Sequence, residues 1–143
     1  MNLYALLVLA TMLFLPALSH GQAAETDGQP FAPEKEDVGQ YKQDAARFRA
    51  AVEEEDFDLS RQYHAALVGH MEAQLLRLEQ RKTGCDKALR AKLQAESTRM
   101  HNIYMAVGAL TFAGSDPYPS ARKLQPLIEE FGELLQKEYM ESL

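Results

Sequence analysis

Cysteine is nearly absent: Cys85 is the only one in the chain, so no disulfide can form within a single copy. In an oxidising compartment a lone thiol is buried and inert, free, or paired between two chains. Its flanks, Thr83-Gly-Cys-Asp86, read as an exposed turn. A plain unreactive thiol is the first expectation, and an intermolecular disulfide through Cys85 is the alternative. No Cys-x-x-Cys-His run occurs, which excludes covalently attached haem. No stretch alternates with period two over a strand's length, so no sheet is expected. An excess of basic residues is missing as well. The 15 Lys and Arg against 21 Asp and Glu give a formal net charge of −6, which argues against a general nucleic-acid binder.

Catalytic signatures are also lacking. Ser60, Ser97, Ser115 and Ser120 stand in no nucleophile-elbow motif. The acidic cluster Glu53 to Asp58 has neither the glycine nor the alternating oxygen ligands of a calcium loop. Cys85 is several helical turns from His64, His70 and His101. The chain is therefore expected not to be an enzyme.

What is present begins with an apolar run. The first eighteen residues carry no charged side chain, and Leu3 to Leu15 runs apolar until Pro16 ends it. That is short for a membrane span and has the length of a signal-peptide core. Ser19 and Gly21 suit the −3 and −1 positions of a cleavage site, so residues 1–21 are read as a signal peptide cleaved after Gly21. Cleavage after Ala23 is one alternative. A retained anchor is the other, because the n-region has no Lys or Arg. With no cysteine near the site, a lipoprotein signal is absent. Export to a periplasm or to the cell exterior follows. Residues 22–37 mix Pro, Gly and charge without periodicity and predict a disordered leader, and 38–143 predicts a single domain.

From Val38 the apolar residues recur at steps of three and four. Val38, Tyr41, Ala45, Phe48 and Val52 predict a helix over about 38–55. His64, Leu67, Met71, Leu75 and Leu78 predict a second over about 59–82, with Asp56 or Asp58 as its N-cap. Gly84 is placed as a left-handed C-terminal cap and Asp86 as the next N-cap. Leu89, Leu93, Glu96, Met100, Ile103, Val107 and Leu110 mark the third helix, whose end, 103–113, is apolar nearly all round. That end must be covered by the first and fourth helices or by a second subunit. Two prolines break the segment 114–120. A fourth helix then carries Leu124, Leu127, Ile128, Phe131, Leu134, Leu135 and Tyr139, with Pro126 near its first turn or at a kink. Four amphipathic helices with short links predict an all-α, antiparallel, up-down-up-down four-helix bundle.

Histidine and methionine on such helices raise the question of a metal. Imidazole nitrogen and thioether sulfur are the copper ligands common in exported proteins, which makes a copper-type site the cofactor to test. His64 and Met71 share a stripe but stand seven residues apart, about 10 Å along the axis at a 1.5 Å rise. They cannot readily hold one ion together. Two pairs remain as candidates: His101 with Met105 on one face of the third helix, and His70 with Glu96 across the second and third. Each pair needs a further ligand. The bland readings are a hydrogen-bonded imidazole at the core edge for His64, and adaptable core filler for Met71 and Met100.

Arg77, Arg81, Lys82, Lys87, Arg90 and Lys92 surround the turn between the second and third helices. The acidic start of the first helix and the acidic end of the fourth, Glu138 and Glu141, are expected at the same end and would neutralise them. Otherwise the patch would dock an anionic partner, an acidic protein or acidic lipid headgroups. Taken together, the chain is expected to be an exported interaction or adaptor module that binds a protein partner or itself. The alternatives are a periplasmic metal-binding or metal-sensing bundle and a small inhibitor or immunity-type protein.

Overall fold

The computed structural model describes residues 31–112 and 116–143. The signal segment, both cleavage positions, most of the leader and part of the third link lie outside the described residues. Those described form four helices and no strand: α1 Lys35–Glu53, α2 Phe57–Lys82, α3 Lys87–Gly108 and α4 Tyr118–Glu141. None is long and apolar enough to cross a membrane.

Helix α1 starts three residues before the expected Val38, so 35–37 are helical and not part of a disordered leader. The cause lies in its first turn. The Glu34 backbone N–H donates to the Asp37 carboxylate at 2.7 Å, and Glu36 and Asp37 place negative charge at the positive end of the helix. Helix α1 ends without a glycine. The Asp56 N–H bonds the Ala51 carbonyl at 2.9 Å and the Glu55 N–H bonds the Val52 carbonyl at 3.1 Å. This paired closure puts Glu55 in the left-handed region, at φ 53°. Asp56 then caps α2 by accepting from the Leu59 N–H at 3.0 Å.

The next turn departs from expectation. Gly84 does not take up the left-handed conformation. Thr83 Oγ1 instead donates to the Gln80 carbonyl at 2.7 Å, closing the end of α2. Asp86 caps α3 as foreseen, accepting from the Leu89 N–H at 2.8 Å. Helix α3 stops at Gly108, short of the apolar run's end, and Leu110 turns back into the core. Helix α4 starts at Tyr118, takes Pro119 into its first turn where a missing N–H is harmless, and carries Pro126 inside.

Helix α1 packs on α2 and α4, and α3 packs on the same two. Between them lie the fully buried Tyr41, Phe48, Leu67, Met71, Leu78, Leu93, Met100, Ile103, Ile128, Phe131 and Leu135. Val107 and Leu110 complete that core, so the inner face of the α3 end is covered by this chain's own helices. Its outer face, with Met105, Gly108 and Ala109, stays exposed. Leu75 is half-buried and packs against that core, whereas Leu89 is exposed. Gln74, beside Leu75, is fully buried. At Gly132 α4 comes close to α1: an added Cβ would lie 3.0 Å from Tyr41 Cε1.

Candidate functional site

The histidines are held separately. His64 sits at the core edge, where its Nε2–H donates to the Val107 carbonyl at 2.7 Å. Its ring lies 5.4 Å from that of Phe112 and 6.1 Å from that of Phe48. The carbonyl at the end of α3 thus fixes the tautomer.

His70 does not meet Glu96. Its Nε2–H donates to Asp44 Oδ2 of α1 at 2.8 Å, and its ring stands edge-on to Tyr41 at 6.1 Å. Asp44 is only 6% exposed and also accepts from Gln40 Nε2 at 3.3 Å. The flank of α2 that carries His70 therefore faces α1, whereas Glu96 lies on the side of α3 that faces α4. The Asp44 carboxylate orients the imidazole, and among the described residues no hydroxyl or thiol is bonded to His70 to act as a nucleophile. Asp44 was missed in the sequence although its spacing carried the signal: Tyr41, Asp44 and Phe48 recur at three and four residues on the buried stripe.

His101 and Met105 stay on the outer face of α3, and both are exposed. The His101 ring has Tyr104 as an aromatic neighbour at 6.1 Å. Among the described residues, the one group of three His, Cys, Asp or Glu side chains with ligand atoms within 4.8 Å of each other is Glu96, Glu138 and Glu141. It contains no histidine. Cations of the protein already serve it: Arg81 bonds Glu138, Lys137 Nζ is 3.3 Å from Glu96 Oε1, and Lys92 Nζ is 3.3 Å from Glu141 Oε2.

Two pKa shifts in this cluster run in opposite directions. Burial, then the facing Glu96 carboxylate, push Glu138 up to about 7 against the pull of Arg81. At Glu96 burial also acts upward. The facing Glu138 carboxyl and the Lys137 ammonium, with Lys92 further off, outweigh it and hold that carboxyl below its ordinary value. Glu138 was legible in the same way as Asp44, since Ile128, Phe131, Leu135 and Glu138 follow the stripe of α4.

The basic turn is mostly paired within the chain. Besides the pairs of Arg81 and Lys92, Arg77 Nη2 lies 3.2 Å from Asp37 Oδ1. Lys82 is buried, pairs with Glu79 and donates to Gln94 Oε1 at 3.0 Å. Arg90 donates to the Cys85 carbonyl at 3.3 Å, and Lys87 is exposed at the start of α3. Acidic residues of α1 and α4 thus supply the neutralisation expected at this end. Cys85 is half-buried, less open than an exposed turn, and its Sγ–H points to the Lys82 carbonyl at 3.4 Å.

Surface grooves follow the helix seams. The α1–α4 groove, about 370 Å³, has Ala45, Ala46 and Gly132 among its lining residues. It is bridged by Arg49 Nη1 to Glu129 Oε1 at 3.3 Å and by Lys42 to Gln136. The α2–α3 groove, about 450 Å³, is lined by Leu75, Leu76, Gln94, Ser97, Thr98 and His101 among others. Leu76 is 60% exposed there. Met105, four residues on from His101 and so on the same helix face, is 57% exposed. Comparisons of the chain with protein-family models, with curated proteins and with solved structures find no match.

Proposed function

We propose that the protein is an exported helical-bundle interaction module, non-enzymatic, that receives an apolar stripe of a protein partner along its α2–α3 groove. The observation that carries this reading is Leu76, a large apolar side chain left in water in the lining of a groove that no ion pair among the described residues spans, with Met105 exposed on the α3 face one turn on from the lining residue His101. Burying such side chains contributes about 1.5–3 kcal/mol each, enough for a few of them to anchor a partner helix.

The helices of this module run up-down-up-down. Support comes from the contacts on either side of each link. Between α2 and α3, Lys82 meets Gln94, Glu72 meets Tyr104 and His64 meets Val107. Between α1 and α4, Lys42 meets Gln136, Arg49 meets Glu129 and Glu55 meets Arg122. In both series one number rises as the other falls, as in antiparallel neighbours. Export rests on the uncharged apolar segment Leu3 to Leu15 and the small residues Ser19 and Gly21. N-terminal sequencing of protein isolated from its native source is expected to begin at Gln22.

The reading is tested by purification from the native envelope, with and without reductant, of wild type and of the double variant Leu76→Glu, Met105→Glu. Wild type is expected to retain one stoichiometric protein, or a second copy of itself, that the double variant loses. Retention of the same protein by both forms contradicts the reading.

A further inference from the structure

The carboxylate cluster between α3 and α4 contains an oxygen that ordinary pairing leaves without a donor. Glu96 Oε2 is buried and has no hydrogen-bond partner among the described residues, whereas Glu96 Oε1 accepts from Lys137 Nζ at 3.3 Å. On α4, Glu138, only 3% exposed, has its Oε2 held by Arg81 of α2. The carboxylate oxygens of the two residues approach within 4.8 Å. If both were ionised, two like charges would face each other out of water with no donor between them, which burial and Coulomb repulsion both oppose. A single proton satisfies the orphan acceptor and removes the repulsion.

We propose that Glu138 carries a proton and donates it to Glu96 Oε2, forming a carboxyl–carboxylate hydrogen bond that clasps α4 to α3 and opens when the proton passes to solvent. The surroundings fit a proton better than a metal ion. From α2, Arg81 faces Glu138. On α3, Lys92 faces Glu141. On α4 itself, Lys137 stands 3.3 Å from Glu96 and 4.0 Å from Glu141. From α1, Asp37 is engaged by Arg77 of α2 and Lys42 reaches Gln136. Three cations, Arg81, Lys92 and Lys137, already touch the carboxylates a metal would need, so a further dication would meet positive charge. A proton needs only the one open oxygen.

The sign follows from linkage. Glu138 is raised from an ordinary value of 4.5 to about 7 in the folded chain. The folded state therefore binds the proton more tightly than the unfolded state. The stability this confers is complete below the ordinary value and is lost as pH rises through about 7.

The test combines infrared spectroscopy with urea unfolding across that range, on wild type, Glu138→Gln and Glu96→Gln. Wild type is expected to show the carbonyl absorption of one protonated carboxyl at about pH 6, well above the ordinary carboxyl range, and to lose it by about pH 8. Glu138→Gln keeps a donor for Glu96 and cannot titrate. It is expected to lack that absorption, and to lack the part of the pH dependence that raises the wild-type unfolding constant by up to about tenfold per pH unit. Glu96→Gln removes the accepting charge, and the infrared transition is expected to move to lower pH. No protonated carboxyl in wild type at about pH 6 overturns the proposal. So does an absorption that survives in Glu138→Gln. Should Glu138→Gln fail to fold, wild type and Glu96→Gln decide the matter, since an unmoved transition in the latter also overturns it.

Discussion

The Tyr41 hydroxyl of α1 donates to the Ile128 carbonyl of α4 at 2.6 Å. Burial pushes the phenol far above its ordinary pKa, so the bond keeps its proton throughout the working pH range. One helical turn on, Gly132 leaves space for the Tyr41 ring, which also packs on Phe131 at 5.4 Å. The ring is pinned at its hydroxyl and on its face, and it cannot yield to a new methyl group. Gly132→Ala, whose Cβ would stand 3.0 Å from Tyr41 Cε1, is expected to lower stability by about 1–3 kcal/mol in urea unfolding despite alanine's better helix propensity.

Glu55 holds a left-handed backbone conformation at φ 53° where glycine is the usual residue. Its side chain pairs with Arg122 Nη2 at 3.1 Å, an exposed contact of little weight in water. Glu55→Gly is expected to raise stability by about 0.5–1 kcal/mol. An upward shift in the thermal midpoint checks it, and Arg122→Ala serves as the control with little change.

Ser60 is fully buried near the start of α2, and its hydroxyl has no partner among the described residues. An unpaired buried hydroxyl costs about 1–3 kcal/mol, which removing it recovers in part. Ser60→Ala is expected to be neutral or stabilising by about 1 kcal/mol. A marked loss on denaturant titration would show that the hydroxyl has a partner after all.

His64, His70 and His101 are bonded or exposed at three separate places. Copper added to the purified protein is therefore expected to leave the melting temperature unchanged. A specific site at a hundredfold excess over its Kd would add about 2.7 kcal/mol, a shift that differential scanning calorimetry resolves.

The four helices were readable because burial of one face imposes a spacing of three and four that survives in the order of residues. Their ends were less so. Helix α1 begins early because Asp37 bonds back to the Glu34 N–H, a local exchange that periodicity does not register. Gly84 invited a left-handed cap, but the unusual conformation falls on Glu55, where two backbone hydrogen bonds impose it. Within the candidate sites, polar residues at stripe positions carried a signal, and Glu96 was noticed on that ground. Its partners were not. Which flank of a helix faces which neighbour depends on how all four helices are arranged, and that arrangement gives His70 to Asp44 and Glu96 to Lys137 and Glu138.

The central claim is that the α2–α3 groove receives a protein partner. Its most direct test is a photo-crosslinking residue placed at position 76 in the native envelope, compared with one at the exposed Lys123 of α4. A single adduct from position 76, absent from position 123, is the expected result, and its mass separates a foreign partner from a second copy of the chain. No adduct at position 76, or the same adducts from both positions, contradicts the account.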